Sequence, residues 1–222
     1  YLQFPGIQII EINSSKELFF RCSSSVTINV LEMYSPLLYY IFMIFLETER
    51  VILRNFTEDD LDDIFLYASV PDVGEMAGWN HHENIEESRT VLYKVFLPNP
   101  EDYAIVDKKT NHVIGSFGLH QTSQLTADFP LETSKEIGYV LAKNYWGKGI
   151  MSEILSSSIQ KWKEEGKIDV LTATTFSTNK ASAHVLEKCG FRHYRIIKDE
   201  YVSSLDKVFD KYCFYLRLKQ HD

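Results

Sequence analysis

The sequence predicts a mixed α/β fold (α+β mixed), in which about four helices flank a central twisted sheet of about seven strands. Short runs of β-branched and aromatic residues alternate with longer segments whose apolar residues recur every three or four positions. Paired strand-like runs near both ends of this region indicate hairpins, which is typical of a sheet with mixed strand directions. The chain has 222 residues, 45% of them hydrophobic and 24% charged, which suffices to fill one such core.

Each predicted helix has a recognisable start. Thr57 precedes three acidic residues that suit the first turn of a helix, and Asn84 begins a capping-box pattern. The broadest apolar stripe runs over 147–165, after which Gly166 supplies a stop. Asn179 caps a shorter fourth helix.

The predicted strands are short apolar runs bounded by charged or turn-forming residues. They lie at 51–53, 103–106, 113–120, 136–141, 170–175, 191–197 and 212–218. A turn at 107–111 makes the second and third of these strands a hairpin.

The first 42 residues differ from the rest of the chain. They contain only five charged residues, and a run of ten apolar residues spans 37–46. Ten residues are too few to cross a bilayer, which takes about 20, and charged rather than small residues follow the run, unlike a signal peptide. We therefore predict that residues 1–42 are an extension foreign to the native protein and that 43–222 form a single domain. The alternative is a native strand or helix that covers the core or mediates dimers.

The charge balance narrows the classes of partner. Lys and Arg number 23 against 31 Asp and Glu, which gives a formal net charge of -8. A general nucleic-acid binder needs a basic face, so this class is not predicted. An acidic protein suits a cationic partner such as an amine. Three cysteines without C-x-x-C spacing predict neither a disulfide framework nor a cysteine metal site, which indicates the cytoplasm.

The most informative segment joins a strand, a glycine turn and a helix. The strand at 136–141 leads into Asn144-Tyr145-Trp146-Gly147-Lys148-Gly149-Ile150. Glycines at such a junction let the backbone approach a ligand, and the N–H groups of a helix N-terminus attract anions. The G-x-G spacing alone equally fits a tight turn without a ligand. It is neither a dinucleotide fingerprint, because Ser152 occupies the third glycine position, nor a Walker A loop.

Four segments together resemble the GNAT superfamily of acyl-CoA-dependent N-acetyltransferases. The segment 144–150 resembles motif A of that family, written Q/R-x-x-G-x-G/A, and 179–191 is similar to motif B, N-x-x-S followed by E-K-x-G-F. Residues 46–54 and 136–139 are similar to the Rim-type branch, which acetylates the N-termini of ribosomal proteins. The four segments stand in family order over about 46–219 and imply the GNAT fold.

Two positions depart from the family pattern. Asn144 stands where Gln or Arg is usual, and its shorter side chain weakens the inference of a phosphate contact there. Leu186 stands where many relatives carry the tyrosine that protonates the leaving thiolate, so Ser182 is the nearest replacement.

The resemblance implies direct attack of an amine on the thioester of acetyl-CoA, without a covalent enzyme intermediate. It implies catalytic roles for Glu136, as proton acceptor, and for Ser182, as partner of the thiolate. Backbone groups of Val140 and Leu141 are expected to hold the pantetheine arm. The full set expected to bind acetyl-CoA is Val140, Leu141, Trp146, Gly147, Lys148, Gly149, Ile150, Asn179 and Ser182.

Each of these roles has a plainer alternative. Glu136 would instead pair with a neighbouring base such as Lys135. Asn179 would be a simple helix cap, and Ser182 a packing or surface residue.

The acceptor amine is expected near Trp79, His81 and His120. Trp79 and His81 stand in a loop that would shape the pocket, and His120 ends a strand at the expected cleft, where it is an alternative base. The adjacent His81 and His82 point in different directions on any regular element, so no metal site is predicted.

The sequence thus predicts a cytoplasmic N-acetyltransferase, monomeric or homodimeric, that acts on the α-amino group of a protein N-terminus and binds neither nucleic acid nor membrane. An enzyme for a small amine (a polyamine, an amino acid or an antibiotic) is the first alternative, and a non-catalytic acyl-CoA-binding module is the second. An open groove at 77–83 and 121–133 would favour a peptide acceptor, and a closed one would favour a small molecule.

Overall fold

The structure, a computed structural model, describes residues 7–12, 18–22, 27–29, 44–121 and 125–219. The chain divides into two compact units, Tyr1–Ile44 and Phe45–Asp222. In the first unit, three strands form an antiparallel sheet in chain order: β1 (Ile7–Ile12), β2 (Leu18–Cys22) and β3 (Thr27–Asn29). Most of the apolar run at 37–46 lies outside the described residues, and the foreign origin of residues 1–42 stays a prediction.

The second unit is built on one sheet of eight strands, which confirms the mixed α/β class. The strands are β4 (Ile44–Glu47), β5 (Val51–Asn55), β6 (Asp102–Asp107), β7 (Val113–His120), β8 (Ser134–Leu141), β9 (Val170–Phe176), β10 (Arg192–Val202) and β11 (Lys207–Arg217). Their order across the sheet is β10-β11-β9-β8-β7-β6-β5-β4. The pair β8–β9 is parallel, whereas β5–β6, β6–β7, β7–β8, β9–β11 and β10–β11 are antiparallel. The extra strand relative to the prediction is β4, which forms inside the apolar run, where no alternation marks a strand.

In the described part of the chain, four α-helices accompany this sheet, as predicted. They are α1 (Leu61–Ala68), α2 (Ile85–Val91, continued by a π-helical turn at Leu92–Phe96), α3 (Ile150–Glu165) and α4 (Lys180–Lys188). Asn84 caps α2 because its Oδ1 accepts the N–H groups of Glu86 and Glu87. Gly166 ends α3 with a φ of 65°. None of the helices in the described ranges is long and apolar enough to cross a membrane.

The two faces of the sheet pack against different helices. On β7, the ring of Phe117 stacks on Trp162 of α3 with centroids 6.0 Å apart. The neighbouring Ser116 shares a hydrogen bond with the buried Tyr67 of α1. Since successive side chains of a strand point to opposite faces, α3 covers one face and α1 covers the other.

The parallel strands β8 and β9 separate halfway along their length. Their pairing comprises Ser134 with Val170, Lys135 with Leu171, and Glu136 with Thr172. Both strands continue beyond this point, β8 to Leu141 and β9 to Phe176. The sheet therefore opens between 137–141 of β8 and 173–176 of β9, and we call this gap the wedge. An interior sheet edge with free backbone groups is a natural place for a ligand to bind.

Candidate active site

The edge of β8 that borders the wedge is identified by its hydrogen bonds to β7. The Ala142 N–H donates to the Ile114 carbonyl at 2.7 Å and continues the ladder between these strands. A Cβ on Gly115 would collide with the Val140 carbonyl oxygen, so this carbonyl also faces β7. Because backbone groups alternate along a strand, those directed into the wedge belong to Ile137, Tyr139 and Leu141. The structure thus differs from the prediction at Val140, whose backbone is turned toward β7.

The glycine turn follows β8 at the open end of the wedge. Gly147 and Gly149 have φ values of 70° and 76°, which residues with a side chain disfavour. A Cβ on Gly147 would meet no atom within 4 Å, so the space in front of the turn is open. Helix α3 begins at Ile150, and the N–H groups of its first turn have no acceptor inside the helix. This arrangement attracts an anion such as a phosphate.

Two side chains brace the glycine turn. Arg50, the residue before β5, donates from Nη1 to the Lys148 carbonyl at 2.8 Å and from Nε to Glu153 Oε2 at 2.6 Å. Trp146 folds back and donates from Nε1 to the Leu141 carbonyl at 2.6 Å. Arg50 ties the turn to the first turn of α3, a role that its position in the sequence did not indicate.

Tyr145 anchors the segment just before the glycines. Its hydroxyl donates to Asp107 Oδ2 at 2.8 Å. Burial raises the pKa of the Asp107 carboxyl, but hydrogen bonds from the Lys109 amide and from the hydroxyls of Tyr145 and Thr110 outweigh it and leave the pKa below its usual value. Asp107 is therefore a charged acceptor at neutral pH.

The N-terminus of α4 borders the wedge on the side of β9. Asn179 Oδ1 accepts the Ser182 N–H at 3.1 Å, which makes Asn179 a helix cap, and its Nδ2 donates to the Met76 carbonyl at 3.2 Å. The Ser182 hydroxyl lies 2.8 Å from the hydroxyl of Tyr139 on β8. Burial raises the pKa of Tyr139 to about 12, so the phenol stays protonated at neutral pH. Sequence reasoning gave Tyr139 no role, although it stands in the segment that carried the resemblance.

Glu136 and His120 are cross-strand neighbours at the start of the wedge. Glu136 Oε1 accepts a hydrogen bond from Thr174 at 3.2 Å. The expected alternative partner, Lys135, instead bonds to Glu101 at 2.5 Å. His120 lies four residues after Ser116 on β7, and Glu136 is its cross-strand neighbour. The side chains of Glu136 and His120 therefore point to the sheet face that α1 covers. The face opposite Tyr139 thus carries the two candidate bases.

The loop with Trp79 and His81 lies at the end of β9. A Cβ on Gly78 would lie 3.6 Å from the ring of Phe176, the last residue of β9. His81 Nδ1 bonds to Glu75 at 2.7 Å, and this hydrogen bond raises the pKa of His81. Within the described residues, no hydrogen bond, ion pair or ring contact joins Trp79 or His81 to His120.

Further contacts fix the loops near Trp79 and after β7. Asn80 Nδ2 donates to the Ser204 carbonyl at 2.5 Å, and the Ser204 hydroxyl donates to the Gly78 carbonyl at 2.5 Å. These two bonds tie the loop of Trp79 to the turn between β10 and β11. The polar loop after β7, described except for 122–124, is held by Asp128, whose carboxylate accepts from Tyr194 at 2.6 Å.

Comparison with protein families identifies the domain. Residues 50–192 match the family model described as the acetyltransferase (GNAT) domain. The chain is 27% identical over 157 residues to the uncharacterized N-acetyltransferase YoaA of Bacillus subtilis, an alignment that covers 69% of this chain and 85% of the relative.

Two solved structures with a similar fold have different acceptors in their names. One is the ribosomal-protein-S5-alanine acetyltransferase of Vibrio fischeri, with a TM-score of 0.61 and 20% identity over 80% of this chain and 98% of the other. The second is the spermidine N-acetyltransferase of Vibrio cholerae in complex with CoA and spermine, with a TM-score of 0.61 and 16% identity over 77% of this chain and 97% of the other. These likenesses establish the fold and leave the acceptor class open.

Proposed function

Because the chain belongs to the GNAT family of acetyltransferases and is an acetyl-transferring enzyme, we propose that it transfers the acetyl group of acetyl-CoA to a primary amine. The amine attacks the thioester directly in a ternary complex, without a covalent enzyme intermediate. The observation that carries this proposal is the wedge between β8 and β9, which opens beside a glycine turn suited to a phosphate.

The acetyl-CoA site runs from the glycine turn into the wedge. Backbone N–H groups at Gly147–Ile150 hold the pyrophosphate, and Lys148 adds a positive charge beside it. Trp146 supports the turn through its bond to Leu141. The pantetheine arm lies along the wedge edge of β8. The backbone groups of Ile137 and Tyr139 and the N–H of Leu141 face it there, and Val140 contributes its side chain only.

The side of the wedge formed by α4 receives the leaving thiolate. Asn179 fixes the first turn of α4 and borders the pantetheine arm. Ser182, which shares a hydrogen bond with Tyr139, donates its proton toward the sulfur. The Ser182 hydroxyl thus protonates the leaving thiolate, which the apolar side chain of Leu186 cannot do.

A base on the opposite face prepares the amine. An α-amino group has a pKa of about 8 and a lysine of about 10.4, so either amine is largely protonated at pH 7. The cross-strand pair of His120 and Glu136 supplies the proton acceptor.

The first candidate acceptor is the α-amino group of a protein N-terminus, because its lower pKa makes deprotonation by a single weak base easier. A specific observation favours a small amine as the second candidate. The bonds of Ser204 to Asn80 and Gly78 join the loop of Trp79 to the turn between β10 and β11, and we infer that this bridge narrows the acceptor side of the cleft. Trp79 and His81 stand in this loop and line the bridged side, with His81 held by Glu75.

Thiol release from acetyl-CoA in the presence of defined amines tests the proposal. The panel contains a peptide with a free N-terminus and no lysine, the same peptide acetylated at its N-terminus, spermidine and a free amino acid. Turnover with the free peptide alone supports the N-terminal acceptor, and turnover with spermidine or the amino acid alone supports the small amine. A folded protein that binds acetyl-CoA and turns over with none of these amines contradicts the proposal.

We also propose that residues 43–222 suffice for activity. A chain that begins at Met43 should fold, bind acetyl-CoA and turn over like the full chain. An insoluble or unfolded product would show that residues 1–42 are part of the native fold.

A further inference from the structure

Asp102 is a carboxylate buried in the sheet at the start of β6. Only 5% of the residue is exposed, and a carboxylate is rarely this buried unless it has partners. Asn99 Nδ2 donates to Asp102 Oδ2 at 2.8 Å, and Asp102 Oδ1 lies 3.9 Å from His120 Nε2. Burial raises the pKa of the Asp102 carboxyl, while the charge of His120 and the bond from Asn99 oppose this change. Asn99 thus holds the Asp102 carboxylate by a hydrogen bond, and His120 lies between that carboxylate and the cleft.

Two glycines make room for this pair of side chains. Asp102 pairs with Gly118 of β7, and Gly118 pairs with Gly138 of β8. A Cβ on Gly118 would collide with Asp102 Oδ1, and a Cβ on Gly138 would lie 3.2 Å from His120 Nε2. Glycine weakens a strand interior, so two glycines side by side call for a compensating reason. Here they leave a hollow on the sheet that the carboxylate and the imidazole occupy.

The position of the hollow places His120 at the reacting end of the wedge. Gly138 is the second residue after Glu136, the last residue of β8 that pairs with β9. The imidazole of His120 therefore lies over the point where the sheet opens, with Nε2 turned toward the two glycines and Asp102. The His120 side chain is 45% exposed, so an amine can reach it. The alternative base, Glu136, already accepts a hydrogen bond from Thr174.

From this arrangement we propose that Asp102 is a positioning residue that holds the Nε2 side of His120 and leaves Nδ1 as the proton acceptor of acetyl transfer. The inference rests on the proposed function and assigns its base. The ammonium form of the acceptor gives one proton to His120 Nδ1, and the Asp102 carboxylate on the Nε2 side stabilises the imidazolium. The neutral amine then forms the N–C bond, and the C–S bond breaks with its electron pair on sulfur. Ser182 gives its proton to the thiolate, and the second proton on nitrogen replaces it on Ser182. The products are the acetylated amine, the CoA thiol and a protonated His120, so atoms and charge balance.

Turnover of His120→Ala and Asp102→Asn in the full chain tests this assignment. General base catalysis contributes on the order of 100-fold, so kcat of His120→Ala should fall by about that factor with the KM for acetyl-CoA unchanged. Added imidazole should restore turnover to His120→Ala, and substituted imidazoles should restore it in order of their basicity. Asp102→Asn should also lose kcat, but imidazole should not rescue it, because His120 still fills the hollow.

His112→Ala is the matched control. His112 Nδ1 lies 2.8 Å from Asp63 Oδ1, a second histidine–aspartate pair in the chain, and the His112 side chain is 66% exposed. Its loss should leave kcat unchanged. The double variant His120→Ala with Asp102→Asn should be no slower than His120→Ala alone, since Asp102 acts through His120.

Several results would overturn the assignment while the proposed function stands. One is wild-type kcat in His120→Ala, and another is the absence of rescue by any imidazole. A third is an Asp102→Asn variant with a raised KM for the amine and normal kcat, which would make Asp102 an amine-binding residue. If Asp102→Asn does not fold, Asn99→Ala replaces it, and a normal kcat there contradicts the positioning role. A wild-type protein inactive with every amine refutes the proposed function itself.

Discussion

The hydroxyl groups of Tyr139 and Ser182 lie 2.8 Å apart and join strand β8 to helix α4 beside the wedge. Burial raises the pKa of Tyr139 to about 12, so its phenol is a proton donor at neutral pH. A phenol that donates to the Ser182 oxygen leaves the serine proton free for another acceptor. In the proposed reaction that acceptor is the sulfur of the leaving thiolate.

Tyr139→Phe should therefore lower kcat and leave the KM for acetyl-CoA unchanged, because the thiolate is present only after the C–S bond breaks. Ser182→Ala should lower kcat further, and the double variant should match Ser182→Ala, since the two hydroxyls act in series. The measurement is thiol release at saturating amine.

Tyr67→Phe is the control for this series. Tyr67 is buried and shares a hydrogen bond with Ser116 on the other face of the sheet. Both tyrosine variants should lose about 1 kcal/mol of unfolding free energy, as expected for one lost hydrogen bond. Equal losses of kcat in the two variants would refute a specific role for Tyr139.

Glu136→Gln separates the two candidate bases. Gln keeps an oxygen that can accept the bond from Thr174, so the fold of this edge should persist. If His120 is the base, Glu136→Gln should slow turnover by less than about tenfold, well short of the loss in His120→Ala. Steady-state rates of both variants with one amine decide this. A larger loss in Glu136→Gln would return the role of base to Glu136.

The bond between Asp107 and Tyr145 predicts a dependence of stability on pH. The pKa of Asp107 is lowered in the folded protein, so its contribution to stability is complete above the unfolded pKa of about 3.9 and is lost as the pH falls through the folded value. Asp107→Asn should cost about 1 kcal/mol at pH 7. Denaturant unfolding from pH 7 to pH 2 should show this difference shrinking below about pH 4. A difference that persists to pH 2 would show that the charge of Asp107 is not its cause.

Local signals account for the parts of the fold that sequence reasoning predicted. Asn84 and Gly166 mark helix ends through their own caps, and the strand at 113–120 matches β7 residue for residue. The long hairpin of β10 and β11 was predicted too short, because its outer half is exposed and has no apolar alternation.

The features missed in the site depend on register between distant strands. In the sequence, Asp102 is a polar residue directly before a predicted strand. Only the register of β6, β7 and β8 shows that it lies beside Gly118 and Gly138. The wedge itself arises where the β8–β9 pairing stops after Glu136, and no residue there signals this end. The partnership of Tyr139 with Ser182 likewise requires α4 to dock beside β8.

Calorimetric titration with acetyl-CoA of the wild type, Gly147→Ala and Gly166→Ala tests the central claim most directly. Gly147 and Gly166 share a left-handed φ, 70° and 65°, and a Cβ on either would meet no atom within 4 Å. Both variants should lose about 1 kcal/mol of stability through the same backbone strain. We expect Gly166→Ala to bind acetyl-CoA like the wild type and Gly147→Ala to bind it at least tenfold more weakly. Equal affinity in all three proteins, or a folded wild type that does not bind acetyl-CoA, would contradict it.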